Sequence, residues 1–326
     1  MASSQILVSL LVCVTLVRCE ELRFLVLGDW GGESDWWPYT TPYETAVSKG
    51  MGKLAEQLGT QFTVALGDNF YDQGVKNVDD RRFQETFEDV FTAKSLMTPW
   101  YFCAGNHDHL GNASAQIAYS SRSERWNFPA LYYTKSWTIP GSEKELQLVL
   151  VDTVLLCGIT DDSSITQPEG PLSIEDAETQ WDWLESTLRS STAHYLIVGG
   201  HYPVWSIAEH GPTKCLVDRL RPLLQTYHVT AYINGHDHNL QHLKEPTSTV
   251  AYFVIGAGAI VDYDTSNKDK VPEGSSLFFW ADYFRGGGFA VVHVAVNNMT
   301  VEMMDCYGTS LYKTQLYPRQ LTNFNS

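Results

Sequence analysis

The chain has 326 residues, with 22 Lys and Arg against 38 Asp and Glu, for a formal net charge of −16. Hydrophobic residues at 44% and charged residues at 18% are a globular balance and argue against disorder. The acidic excess, with no run of Lys or Arg, argues against a nucleic-acid partner.

In chain order, residues 6–17 are apolar but too few to span a bilayer. At the N-terminus, running to Cys19, they read as a secretory signal peptide over 1–19, although the leading residues carry no Lys or Arg. The mature chain, 20–326, is then expected in an exported, oxidising compartment, with no membrane-spanning segment. Residues 23–27 read as a strand. Thr41-Pro42 with Glu44 opens a helix toward residue 58, because a Thr cap, a first-turn Pro and a Glu three residues after the cap coincide. Residues 62–66 read as a strand, 80–91 as a helix, and 100–104 and 146–151 as strands. A helix is expected over 173–188, a strand over 195–198, a helix over 216–225 and a strand over 231–233. The tail is strand-rich, over 249–255, 288–296, 300–304 and 311–316. Alternating units with no linker and no repeat predict one α/β domain over 20–326.

Two sequons, Asn112-Ala-Ser and Asn298-Met-Thr, are glycosylation candidates in an exported chain. Setting aside Cys13 and Cys19 in the leader leaves Cys103, Cys157, Cys215 and Cys306. One bridge among them fits an exported chain, and spacing leaves the pairing open. No C-x-x-C occurs, which excludes a zinc ribbon or a thioredoxin-type site.

The chemistry lies where strands end. Five predicted strands run into a Gly turn followed by metal-ligand residue types: Gly28-Asp29, Gly67-Asp68-Asn69-Phe70-Tyr71, Gly105-Asn106-His107-Asp108, Gly200-His201 and Gly235-His236-Asp237-His238. Open α/β sheets build their sites outside the carboxyl ends of strands, and Gly permits the sharp turn. One such turn alone is ordinary loop chemistry. Five in series bring Asp, Asn, Tyr and His to one region, a donor set without thiolate that suits hard-to-borderline cations.

This series resembles the metallophosphoesterase superfamily of binuclear metal enzymes. The phosphodiesterase and protein-phosphatase branches carry Asp-x-His at the first turn, where this chain has Asp29-Trp30-Gly31. Tyr71, three residues after Asp68, instead resembles the purple acid phosphatases, and Gly200-His201-Tyr202-Pro203 with His210-Gly211-Pro212 looks like their small animal-type, tartrate-resistant branch. The resemblance spans about residues 22–316. It implies a four-layer α/β/β/α sandwich of two mixed sheets. It places Fe(III) on Asp29, Tyr71 and His238, Fe(II) or Zn(II) on Asn106, His201 and His236, and Asp68 between them. It implies an acid phosphatase that hydrolyses phosphate monoesters, small or protein-borne, by in-line attack of a metal-bound hydroxide. His107 and His210 would contact phosphate or protonate the leaving alkoxide, a task suited to imidazole in mild acid. Asp108 and Asp237, beside ligands, are expected to back the ligands or to fix their loops, and so to hold imidazoles in place.

The resemblance further implies a Cys157–Cys215 bridge with Cys103 and Cys306 reduced, a monomer, and a secreted or lysosomal location. The polar, turn-rich segment 157–171 would cover the site until a protease cuts it. Two rival readings remain: an exported iron-binding protein without turnover, and a zinc or manganese phosphodiesterase of the same superfamily. His107 and His210 weigh against the first, and Tyr71 and the absent first-turn His against the second.

Overall fold

The computed structural model describes residues 21–33, 37–160 and 167–320, so the expected leader and the middle of segment 157–171 lie outside the described residues. Numbered along the chain, the strands are β1 (Leu22–Leu27), β2 (Phe62–Leu66), β3 (Trp100–Cys103), β4 (Trp126–Asn127), β5 (Tyr133–Thr138), β6 (Glu145–Leu150) and β7 (Tyr195–Gly199). They continue as β8 (Ala231–Asn234), β9 (Leu240–Leu243), β10 (Ala251–Ile255), β11 (Ser276–Trp280), β12 (Gly288–Val294), β13 (Met299–Asp305) and β14 (Ser310–Leu316). The helices are α1 (Pro42–Leu58), α2 (Asn106–Leu110), α3 (Ala113–Tyr119), α4 (Thr153–Cys157), α5 (Ile174–Ser190), α6 (Lys214–Asp218) and α7 (Leu220–Thr226).

The strands form two sheets, β14-β13-β12-β1-β2-β3-β4 and β11-β9-β10-β8-β7-β6-β5. In the first, β1 to β4 run parallel and the tail strands β12 to β14 add antiparallel. In the second, β6, β7, β8 and β10 run parallel, with β5 and β9 antiparallel beside them.

Side-chain alternation builds the layers. Phe24 and Val26 of β1 pack inward with Leu148, Ile197 and Phe253 of the facing sheet. Leu25 and Leu27 of the same strand turn outward onto Val47 and Met51 of α1. Leu196 and Val198 of β7 turn outward onto Leu184 and Leu188 of α5 and Leu220 and Leu224 of α7. The result is helix, sheet, sheet, helix, the expected four-layer α/β/β/α sandwich.

The Thr41 signal forms as read. Thr41 Oγ1 accepts from the Glu44 amide at 3.0 Å, Glu44 Oε2 accepts from the Thr41 amide at 3.4 Å, and Gly59 closes the helix at φ 66°. Two expected helices come out differently. The 80–91 stretch makes only a wide π turn over Phe83–Glu88. The 216–225 helix is two pieces, α6 and α7, that meet at Arg219. Pro222 explains the break, since its ring would clash with the Asp218 carbonyl in a continuous helix.

Candidate binuclear metal centre

The carboxyl ends of the parallel strands from both sheets meet at one edge, and the Gly turns carry the polar side chains there. Asp29 (φ 57°), Asp68 (φ 49°) and His236 (φ 71°) each sit in the left-handed region. For non-glycine residues this costs about 1–3 kcal/mol each and is held only where surroundings over-determine it. Here they do. The Asp29 amide donates to the Gly67 carbonyl at 3.0 Å. The Asp29 carboxylate accepts from the His236 amide at 2.9 and 3.0 Å. The Asp68 carboxylate accepts from the His107 amide at 3.1 Å.

The structure brings all seven expected ligand residues together, in two contiguous groups. In the first, the Tyr71 hydroxyl donates to Asp29 Oδ1 at 3.1 Å and lies 3.0 Å from His238 Nε2. His238 Nε2 and Asp29 Oδ1 are 3.6 Å apart. In the second, His201 Nε2 lies 2.9 Å from Asn106 Oδ1 and 3.3 Å from Asp68 Oδ2. Donor atoms of Asp68, His201 and His236 all fall within 4.8 Å of one another. Asp29, Asn106 and His201 are wholly buried.

Both expected catalytic histidines lie against these groups. The His107 ring packs 4.6 Å from Tyr71, and its Nδ1 is 2.5 Å from the Asp72 carbonyl oxygen. The His210 ring stacks on His236 with centroids 4.1 Å apart.

The carboxylates beside the ligands fix the loops, and they do so through backbone amides rather than through the rings. Asp108 accepts from the backbone amides of Asn69 and Gly105 and from the Gln116 side chain. Asp237 accepts from the His210 backbone amide rather than from its ring. Backbone carbonyls orient the rings instead: Leu66 O lies 2.9 Å from His201 Nδ1, and Asp72 O serves His107. Asn239 accepts from Gln241 and donates to the Asp262 carbonyl, a purely structural role.

Sequence reasoning missed Arg82. Its buried guanidinium donates to the Tyr71 carbonyl at 2.5 Å, the Gly31 carbonyl at 2.6 Å and Thr86 Oγ1 at 2.9 Å, pinning together the two loops that carry Asp29 and Tyr71. It also missed the pair formed by His109 Nε2 and Asp152 Oδ2 at 2.7 Å. Nothing in the local sequence around either residue marks it.

The electrostatics divide the donors. Burial, reinforced by the neighbouring Asp68, drives the Asp29 carboxyl well above the ordinary carboxylate range, against the pull of His201. Burial alone would raise Asp68 too, but His201 and His107 hold it below that range. Burial would lower His201, and the Asp68 carboxylate overrides it, pushing the ring up to about 9. Burial and the surrounding imidazoles pull His236 well below its usual value, so it stands as a neutral donor. A set of two carboxylates, a phenol, an amide and three imidazoles, buried except for the partly exposed His238 and with donor atoms this close, fits two hard-to-borderline cations, which would offset the anionic charge that burial opposes.

Cys157 and Cys215 are joined by a disulfide, with Cα atoms 5.8 Å apart, while Cys103 and Cys306 are free and buried. Asn112 is exposed and caps α3, accepting from the Ala115 amide at 3.0 Å. Asn298 is half-buried in the β12–β13 turn. No helix of the described residues is long and apolar enough to cross a membrane.

Comparison with known proteins agrees with this geometry. The calcineurin-like phosphoesterase family matches residues 22–240. Human tartrate-resistant acid phosphatase type 5 is 49% identical over 300 residues, covering 92% of this chain and 91% of its own. Purple acid phosphatase 4 of Arabidopsis thaliana is 33% identical over 300 residues, covering 90% of this chain and 82% of its own. The solved structure of GAP50, the anchor in the inner membrane complex of Plasmodium, shares the fold with a TM-score of 0.76 at 24% identity, over 92% of this chain and 90% of its own. Five strand-end turns, a tyrosine set between an aspartate and a histidine, and relatives matched over nine-tenths of the length place the chain in the calcineurin-like phosphoesterase family, among its animal-type purple acid phosphatases.

Proposed function

We propose that the chain is a binuclear-metal acid phosphatase acting on phosphate monoesters. Fe(III) is held by Asp29, Tyr71 and His238, Fe(II) or Zn(II) by Asn106, His201 and His236, with Asp68 between. The observation that carries this is the Tyr71 hydroxyl set within about 3 Å of both Asp29 and His238. A phenolate is a hard anionic donor that favours a trivalent ion, and the other group, built on an amide and two imidazoles, suits a divalent one. Bound there, two such ions would supply the positive charge that favours a phosphate ester and would lower the pKa of bound water.

The chain's own residues do the rest. The Asp72 carbonyl can only accept, so it fixes the proton of His107 on Nδ1. Nε2 is then where a second proton is carried and delivered to the leaving alkoxide. His210, stacked on His236, would contact the phosphoryl group beside the metals. The Asp237 side chain fixes its backbone.

We extend the reading to the finer expectations. Segment 157–171, anchored by the Cys157–Cys215 bridge and by Gln167 Oε1 accepting from the Lys214 amide at 2.7 Å, covers the site until a protease cuts it. The protein is a secreted or lysosomal monomer, made with a leader over 1–19 and glycosylated at Asn112 and Asn298.

The test is a visible spectrum of the purified protein, before and after mild reductant, beside Tyr71→Phe. A broad violet-to-pink band that shifts on reduction and vanishes in Y71F, with metal content kept, supports the ferric assignment. A colourless, metal-loaded, active phosphatase overturns it in favour of a zinc or manganese pair. Substituting His107 and His210 together with Ala should collapse turnover and leave metal content intact. An unchanged rate would assign those residues no catalytic part. Limited proteolysis within 161–171 should raise the turnover number, and an unchanged value refutes the covering role.

A further inference from the structure

The amino ends of the parallel strands, away from the metal centre, hold a second cavity. It has a volume of about 400 Å³ and opens between the starts of β8 and β10 and the segment that follows β14. Its walls include the apolar Val229, Leu316 and Tyr317 and the basic His228, Lys244 and Arg319, and among the described residues no Asp or Glu lines it. That is a marked local reversal in a chain of net charge −16.

Arg319 is the informative residue. Its guanidinium donates to the carbonyls of Ala193 at 2.6 Å and Tyr227 at 3.2 Å, to the Ser191 carbonyl, and to Ser191 Oγ at 2.9 Å. Every one of these acceptors is neutral. Its geometry is therefore fixed, while its charge meets no carboxylate among the described residues. Burial weakens its hold on the proton, down to about 10, with no anionic neighbour to offset it. Cations withdrawn from water are ordinarily paired. A fixed guanidinium with no carboxylate partner among the described residues, lining one cavity with a lysine and apolar side chains, is a receptor for an anion with an apolar body. The volume lies in the range of small-molecule sites.

We propose that this cavity binds a small organic anion, with a carboxylate, sulfonate or sulfate head at Lys244 and Arg319 and an aromatic or short aliphatic body against Val229, Leu316 and Tyr317. The site lies apart from the metal centre; only the phosphate control and the activity check below rest on the phosphatase reading.

The probe is 2-naphthalenesulfonate, titrated calorimetrically into the metal-loaded full chain. Saturable one-to-one binding is expected, weakened by 0.5 M salt as a partly exposed charge pair should be. Excess inorganic phosphate, which goes to the metals, should not displace the probe. Lys244→Glu should weaken binding about tenfold or more, and Thr249→Trp, which adds bulk to the cavity wall without changing charge, should abolish it. Both variants should keep phosphatase activity, which also shows that they fold. Arg319 is left intact because it fastens three chain segments. Absence of saturable binding, equal binding by both variants, displacement by phosphate, or equal affinity for uncharged naphthalene would each overturn the proposal.

Discussion

Asp29 is the residue on which the centre turns, because it lies in the first group of donors and its carboxylate also fixes the backbone of His236 in the second. Gly235 makes that contact: a Cβ there would stand 2.2 Å from Asp29 Oδ2. Gly235→Ala therefore displaces the carboxylate by about an ångström without adding a charge or opening the core. A misplacement of that size costs on the order of a hundredfold in rate. We expect G235A to keep a folded circular dichroism spectrum while kcat falls about a hundredfold and metal content drops. Near-normal kcat would mean the loop yields and the contact positions nothing. The donor residues were legible in the sequence because each is tied to a strand end and a Gly within a few positions, a strictly local signature. Arg82 was not legible, because its acceptors Gly31 and Tyr71 are brought to it only by the fold. For Asp108 and Asp237 the loop-fixing role was legible but the partners were not, for a related reason. Adjacency in sequence puts them near imidazoles, but their carboxylates turn to amides that only the folded loops present.

Helix α1 shows how a local signal can serve a distant end. Its capping box was readable from four consecutive residues, and the box member Glu44 is buried, close enough to Arg82 to feel its charge. Burial drives the Glu44 carboxyl well above its usual range, against opposing pulls from the Thr41 amide and Arg82. The folded carboxyl holds its proton more tightly than the unfolded one, so this residue costs stability as pH rises above about 4.5. Glu44→Gln keeps an acceptor for the Thr41 amide and has no charge to bury. Thermal unfolding should show E44Q more stable than the parent at pH 7, with the gap closing toward pH 4. A gap that widens in acid would mean the carboxylate is stabilised as an ion. The elements hardest to read were those whose environment is tertiary. Strand β9 carries the buried polar Gln241 and His242, which interrupt an apolar run. Strand β5 is an edge with mostly exposed side chains. In both, the stabilising partners lie on other strands, beyond the reach of pattern or propensity.

At the scale of the molecule, two sheets pressed face to face hold the strand ends in register, and their junction is mostly apolar and aromatic. Phe62 of β2 stacks on Trp137 of β5 with centroids 4.0 Å apart, joining the sheets at one side. At the other side His242 of β9 meets Tyr312 of β14, with Nδ1 2.9 Å from the hydroxyl, and its ring stacks on Phe253. His242 Nε2 has no hydrogen-bond partner among the described residues. Burial, with a smaller push from Lys244, takes the ring down to about 4. Because the folded ring binds its proton more weakly than a free imidazole, unfolding takes up a proton between about pH 6.5 and pH 4, and stability falls as pH falls through that window. The full effect is about 3 kcal/mol at pH 4, enough to matter to a protein proposed to work in acid. His242→Gln can still engage the Tyr312 hydroxyl and has nothing to titrate. Denaturant unfolding at pH 6.5, 5 and 4 should show the parent losing stability faster than H242Q, with the difference growing toward about 3 kcal/mol. Parallel losses would mean that the ring takes up its proton without opening the seam between the sheets, and that acid sensitivity has to be sought among the carboxylates.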